Sequence, residues 1–271
     1  MITKKTVIQY TLLTFIFSFF TSSIVIALGQ FGYSINTTLE EAIQNPWVNI
    51  PFGLYVLSPA IASYIVLKKN HHITSFRDWL KTVFYVKNSF FSYMFIIGSL
   101  TLYFLIHLVV SNSTSNKLPF YMFFLNLPNN LFIGGLEEAG WMYILQPALI
   151  KRYGFFLSSI FVGSLWFVWH IPLFFIPGTS HYSGLINIGM FAIQLISFRF
   201  IYGAIYKITH KGHVFMSVLF HTMFNAASPV IGILPMTWKG TILANFTIVS
   251  ISIVSVILCN KFSRSSSNES A

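Results

Sequence analysis

Charge is what this sequence has least of. Only 8% of its 271 residues are Asp, Glu, Lys or Arg, against about a quarter in an ordinary soluble domain. A surface drawn from so few charges could not stay dissolved, which excludes the one or two soluble domains that length alone would suggest. Acidic residues are the scarcest, six against sixteen basic ones. The single cysteine, Cys259, can form no internal disulfide and no thiolate metal site, and reads as a small apolar residue. No internal repeat and no separate soluble domain is visible.

What the chain has instead is apolar length: 55% hydrophobic residues, collected into runs of the size that crosses a bilayer. The runs predict an all-α, polytopic transmembrane helix bundle of about eight spans. They fall at about 6–28, 47–67, 89–111, within 119–149, and at about 154–176, 184–206, 213–232 and 240–260. Thirteen of the sixteen Lys and Arg then lie on one side: Lys4, Lys5, Lys68, Lys69, Arg77, Lys81, Lys87, Lys151, Arg152, Lys207, Lys211, Lys261 and Arg264. Lys117 and Lys239 fall in opposite loops and Arg199 inside span six. The positive-inside rule places both termini in the cytoplasm. The net charge of +10 is thus topological, and the basic residues form no soluble face for nucleic acid. Span one begins like a signal peptide, and Ala27-Leu28-Gly29 is a passable cleavage site, but its apolar run is longer than a signal core and its removal would leave an odd number of spans. The tail after span eight is polar and reads as disordered.

Polar groups kept inside a span are costly and need a reason. Glu40 and Glu41 belong to the first outer loop, Asp78 to a cytoplasmic loop and Glu269 to the tail. Only Glu137 and Glu138 fall within a span, where each loses water and repels the other. His170, in span five, has Trp166 four residues before it on the same helix face, and Pro172 just after it can bend the span and open room. His221, in span seven, shares a face with Asn225. His107 in span three has nothing polar around it and reads as a packing group. At 1.5 Å per residue, Asn225 lies about 21 Å in from Lys211, a depth close to that of Glu137. Carboxylate, imidazole and amide at one depth are the parts that activate a water and stabilise an oxyanion.

Glu137-Glu138-Ala-Gly-Trp-Met-Tyr-Ile-Leu-Gln-Pro147, then Trp166-xxx-His170, then His221-xxx-Asn225, resembles the three-motif signature of CAAX endopeptidases of the second type, the CPBP intramembrane protease family of bacteriocin-processing and immunity proteins. Its pattern is EExxxR, an aromatic residue with His four on, and HxxxN or HxxxD. The resemblance covers about residues 119–232 and divides the chain into N-terminal helices (1–118), a catalytic core (119–232) and a last span with its tail (233–271). It implies that Glu137 activates the attacking water, Glu138 supports the site, His170 positions or activates that water, and His221 and Asn225 stabilise the oxyanion. It leaves the mechanism open between a glutamate-dependent one and a zinc-dependent one, with Glu137, His170 and His221 as the ligands if zinc is bound. The HExxH helix of common zinc proteases is absent.

One position departs from the pattern. Met142 stands where the resemblance expects an arginine, one helical turn below Glu138. Arg199, eight residues inside span six from Lys207, is the cation available to replace it. The reading that follows is an intramembrane endopeptidase acting on membrane-associated peptide or protein substrates, with the lipid bilayer as its surroundings and no nucleic acid as partner. A catalytically impaired member acting as a bacteriocin immunity or scaffold protein is the alternative that Met142 favours. A transporter, the third class, is opposed by the lack of repeat symmetry.

Overall fold

The computed structural model describes residues 2–35, 46–111, 117–209 and 211–268. Glu40, Glu41 and Glu269, assigned above to a loop and the tail, lie outside them. Every regular element among the described residues is helical: α1 (Lys4–Gln30), α2 (Pro46–Val56), α3 (Ser58–Lys69), α4 (Phe76–Val83), α5 (Phe90–Ser111), α6 (Tyr121–Phe132), a composite helix α7 (135–153), α8 (Phe155–His170), α9 (Ile188–Ile208), α10 (His213–Ile231) and α11 (Trp238–Asn268).

The first helix, α1, is patterned inside out relative to a soluble bundle. On α1 the buried face carries Thr6, Tyr10, Thr14, Ser18, Thr21 and Ser22, while Ile8, Leu12, Ile16 and Phe20 are exposed. A helix that turns its hydroxyls inward and its branched and aromatic carbons outward has hydrocarbon as its solvent. The Ser18, Thr21 and Ser22 hydroxyls are satisfied by carbonyls one turn back, as with Thr21 Oγ1 to Phe17 O at 2.8 Å, so that part of the polar face needs no water.

Six helices are long and apolar enough to cross a membrane, or up to seven with the bent pair formed by α2 and α3. The protein is a multi-pass membrane protein, and the count differs from the eight spans expected for two physical reasons. The second predicted span is bent by 56° at Leu57, with Pro51 inside α2 and Pro59 in the first turn of α3. The fourth is broken outright: α6 contains Pro128 and ends at Phe132, Gly134 follows with φ +132°, and α7 then runs as 3-10 helix over Gly135–Glu137, α over Glu138–Gly140, π over Trp141–Leu145 and α over Gln146–Tyr153. Glycine is the residue that adopts this φ without strain. At the other end the backbone of α11 is helical to Asn268, through most of the polar segment read above as disordered; a helix already formed in the last span extends into solvent at little cost per residue, since only nucleation is expensive.

Two contacts position the helices that matter for the site. The break between α2 and α3 puts Tyr55 and Ser58 against the end of α8: Tyr55 stacks on Trp169 with ring centroids 4.8 Å apart, its hydroxyl donates to the Trp169 carbonyl at 2.8 Å, and Trp169 Nε1 donates to Ser58 Oγ at 3.2 Å. α8 meets α9 at Gly163, where an added Cβ would lie 2.6 Å from Ile196 Cα, so the two backbones touch, as small residues allow in membrane bundles.

Gly163→Ala should therefore force α8 and α9 apart, at a cost of about 1–3 kcal/mol for overpacking. The check is the melting temperature in detergent, which should fall, whereas Gly53→Ala, with open space around its Cβ position, should leave it nearly unchanged.

Candidate active site

The site assembles where α7, α8, α9 and α10 meet. Glu137 and Glu138 are both buried, at 3% and 0% exposure, and the change from 3-10 to α helix between them sends their carboxylates to different partners. Glu137 Oε2 accepts from Trp166 Nε1 at 3.0 Å and lies 4.0 Å from His170 Nε2. His170 donates from Nδ1 to the Trp166 carbonyl one turn back at 2.8 Å, which commits that nitrogen and leaves Nε2 facing the glutamate. The α-helix ends at His170, and Ile171–Phe175 continues as 3-10 helix with Pro172 near its start. Four ångströms is too long for a direct hydrogen bond and short enough for one water to touch both groups.

Glu138 is held by Arg199 in a bidentate pair, Nη1 to Oε2 at 2.7 Å and Nη2 to Oε1 at 3.0 Å, with both side chains fully buried. The guanidinium lies over Trp166, 3.8 Å from its ring centre, with Tyr202 at 4.6 Å, so aromatic faces replace water around the rest of the cation. Met142 is fully buried nearby in sequence in the π-helical turn and brings no charge. The cation that one helix lacks thus comes from a neighbouring one. Gln146 Nε2 donates to the Arg199 carbonyl at 2.6 Å and fixes α9 against α7 at that level.

His221 Nδ1 donates to Glu138 Oε1 at 3.2 Å, and the ring stands edge-on to Trp166, 5.5 Å between centres, as His170 does at 5.1 Å. Trp166 therefore separates the two histidines while touching both. Asn225 is half-buried, with its Nδ2 3.5 Å from the Ile133 carbonyl, a long and weak contact. A Cβ at Gly134 would strike Asn225 Nδ2 and lie 3.2 Å from His221 Nε2. The backbone of Gly134 thus borders the space that these two donors share. Glu137, Glu138, Trp166, His170, Arg199 and His221 are brought together, and Asn225 stands at the edge beside Gly134. His107 lies elsewhere, beside Tyr103 at 4.8 Å, with no partner for either ring nitrogen among the described residues. Among those residues, no three of His, Cys, Asp and Glu stand close enough to hold one metal ion. The donors as placed do not make a three-ligand zinc site, and no step below is drawn through a metal.

Two features were missed in the sequence. Gly134 could have been suspected from the Gly134-Gly135 pair just before Glu137, since a paired glycine inside a span marks a break. His181 could not: it sits in the 176–187 connection, edge-on to Phe174 and Phe191, and Phe191 in turn contacts His170. Burial pushes the His181 imidazole down to about 4.

Two outcomes follow. Arg199→Leu leaves the Glu138 carboxylate buried with His221 as its remaining partner, a loss of about 3–5 kcal/mol, whereas Met142→Leu conserves volume and should cost less than about 1.5 kcal/mol; melting curves of the two variants make the comparison. For His181, the folded state keeps the ring neutral while the unfolded chain takes up a proton below about 6.5. Stability should fall as pH drops from about 6.5 towards 4, and His181→Phe should flatten that fall, read from melting temperatures across the pH series.

Residues 116–227 match the family model described as Type II CAAX prenyl endopeptidase Rce1-like, about two-fifths of the chain and the stretch that holds every motif residue named above. No curated protein matches the chain. Over residues 116–227 the chain is similar to the Rce1-like, type II CAAX prenyl endopeptidase family, a family of proteases, and it carries that stretch in a multi-pass membrane protein.

Proposed function

We propose that the protein is an intramembrane endopeptidase that hydrolyses peptide bonds of membrane-associated proteins or peptides, with a water activated by Glu137 and His170. The observation that carries this reading is the 4.0 Å gap between Glu137 Oε2 and His170 Nε2, with the His170 Nδ1 proton already committed to a carbonyl. A water in that gap donates one hydrogen to each group and turns a lone pair outward. Its oxygen adds to the scissile carbonyl carbon, and one of its protons passes to Glu137. The oxyanion is received in the space beside Gly134 by Asn225 Nδ2 and by His221, which as imidazolium offers Nε2–H while Glu138 holds Nδ1. When the intermediate collapses, the C–N bond breaks and Glu137 returns its proton to the leaving amine.

Arg199 weakens the case for an impaired immunity or scaffold protein. That alternative rested on Met142, and Glu138 has its cation from another helix. We further place the basic end of the bundle in the cytoplasm and the protein in the cell membrane, from the distribution of Lys and Arg.

The test is cleavage of membrane-associated peptides by the purified protein, with and without a chelator. Glu137→Gln and His170→Ala should each lose about 10²–10⁴ in rate and Asn225→Ala about 10²–10³, with the activity of the unaltered protein surviving chelation. Undiminished cleavage by Glu137→Gln would overturn the reading. Cleavage that stops on chelation and returns with zinc would replace the proposed mechanism with a metal-dependent one.

A further inference from the structure

The segment between α3 and α5 plays no part in the site, yet its helix α4 is the most strongly amphipathic among the described helices. Over residues 68–87 it carries five basic residues, Lys68, Lys69, Arg77, Lys81 and Lys87, against one acidic residue, Asp78, and all five are exposed. Asp78 is turned back to the start of α4. Its carboxylate accepts from the Thr74 hydroxyl and its backbone N–H donates to the Ser75 cap; hydrogen bonds from the Thr74 and Ser75 side chains hold the carboxyl below its ordinary range, so it stays ionised and offsets one of the five cations.

Interleaved with the cations are exposed apolar side chains: Phe76 and Phe84 on or beside α4, Val86 after it, and Phe90 and Phe91 at the start of α5. At 100° per residue, Phe76, Arg77, Leu80, Lys81 and Phe84 share one side of α4. Trp79 and Val83, which adjoin that side at its Phe76 edge, are buried. That buried edge is firmly fixed. Trp79 Nε1 donates to Ser63 Oγ on α3 at 3.0 Å, Trp79 packs against Phe76 and Tyr64, and α4 also rests on α10. The Asn88 side chain fills the space beside Gly212, the residue that precedes α10. The exposed side is therefore a rigid surface.

We infer that α4 and the turn after it form a binding surface for anionic lipid headgroups. The occupant follows from chemistry and from connectivity. Aromatic and aliphatic groups set among cations suit the boundary between acyl chains and phosphates, and suit a purely aqueous partner poorly. The surface is tethered on both sides to membrane helices, by Lys69 at the end of α3 and Phe90 at the start of α5. The start of α1 lies at the same end of the bundle, since Thr6 Oγ1 pairs with His72 Nε2 at 3.2 Å and Asn70 Nδ2 donates to Gln9 at 2.8 Å, which adds Lys4 and Lys5 to that end. The aromatic groups seat in the acyl margin while Arg77, Lys81 and Lys87 reach the phosphates, their stems lying along the apolar surface.

The experiment is a thermal-unfolding titration of the full-length protein in neutral detergent with phosphatidylglycerol, phosphatidylcholine or soluble glycerol phosphate. It needs no cleavage and so is independent of the proposed enzymatic function. Phosphatidylglycerol should raise the melting temperature by about 2–4 °C more than phosphatidylcholine. Molar salt, which shortens the screening length to about 3 Å, should erase that difference, and glycerol phosphate should produce none. The variant R77Q/K81Q/K87Q should lose the phosphatidylglycerol preference, while K151Q/R152Q, altered at a basic site outside this segment, should keep it. Equal shifts with the two lipids, or an undiminished preference in the triple variant, would overturn the proposal.

Discussion

The buried pair between Arg199 and Glu138 is the constraint on which the site depends. Two fully buried charges lose several kcal/mol of hydration each and recover it only with close geometry and full hydrogen bonding. Here both guanidinium terminal nitrogens meet both carboxylate oxygens, aromatic rings face the cation, and His221 takes a further share of one oxygen. That demand locks three helices in register: α7 through Glu138, α9 through Arg199 and α10 through His221. α8 joins through Trp166, which touches the guanidinium, both histidines and Glu137. Displacement of any of the four helices by an ångström would leave a charge unpaired where no water can compensate.

The irregular backbone of α7 follows from the same demand. In a regular α-helix, adjacent residues point 100° apart, and Glu137 and Glu138 must serve different partners on different helices. The 3-10 turn before Glu138 and the π-turn after Gly140 adjust the directions in which successive side chains leave the axis. Such backbone is tolerated at membrane depth only inside protein, and Gly135 through Met142 are buried without exception. Gly134 does the remaining work, since its φ turns the chain from α6 into α7 and its missing side chain leaves Asn225 and His221 free on that side.

What could be read from the sequence divides along the same physical line. The pairs Trp166–His170 and His221–Asn225 were legible because helical periodicity is local: four residues make one turn whatever surrounds them. The membrane setting was legible from composition. The broken fourth span was not, because its hydropathy is continuous while the break lies in the φ of one glycine. The bent second span escaped for a related reason, since its prolines permit a bend that only the packing of Tyr55 and Ser58 against Trp169 requires. Arg199 was visible as an intramembrane cation, but its partner is 61 residues away, and no periodicity reports a contact of that kind. His181 was invisible because its burial depends on where a loop folds back.

The position of the arginine also shows what the linear motif encodes. With Arg199 and Glu138 paired with one another, Glu137 is left without a cation of its own, and the protonatable group beside it is His170. A cation at position 142 would satisfy the same balance from within α7, and a cation from α9 satisfies it across the helix interface with a bidentate fit. The requirement is one compensating charge against Glu138, at whatever sequence position the backbone can deliver it. Since an arginine held by two hydrogen bonds and stacked on Trp166 has little freedom to turn toward Glu137, the compensation stays on Glu138.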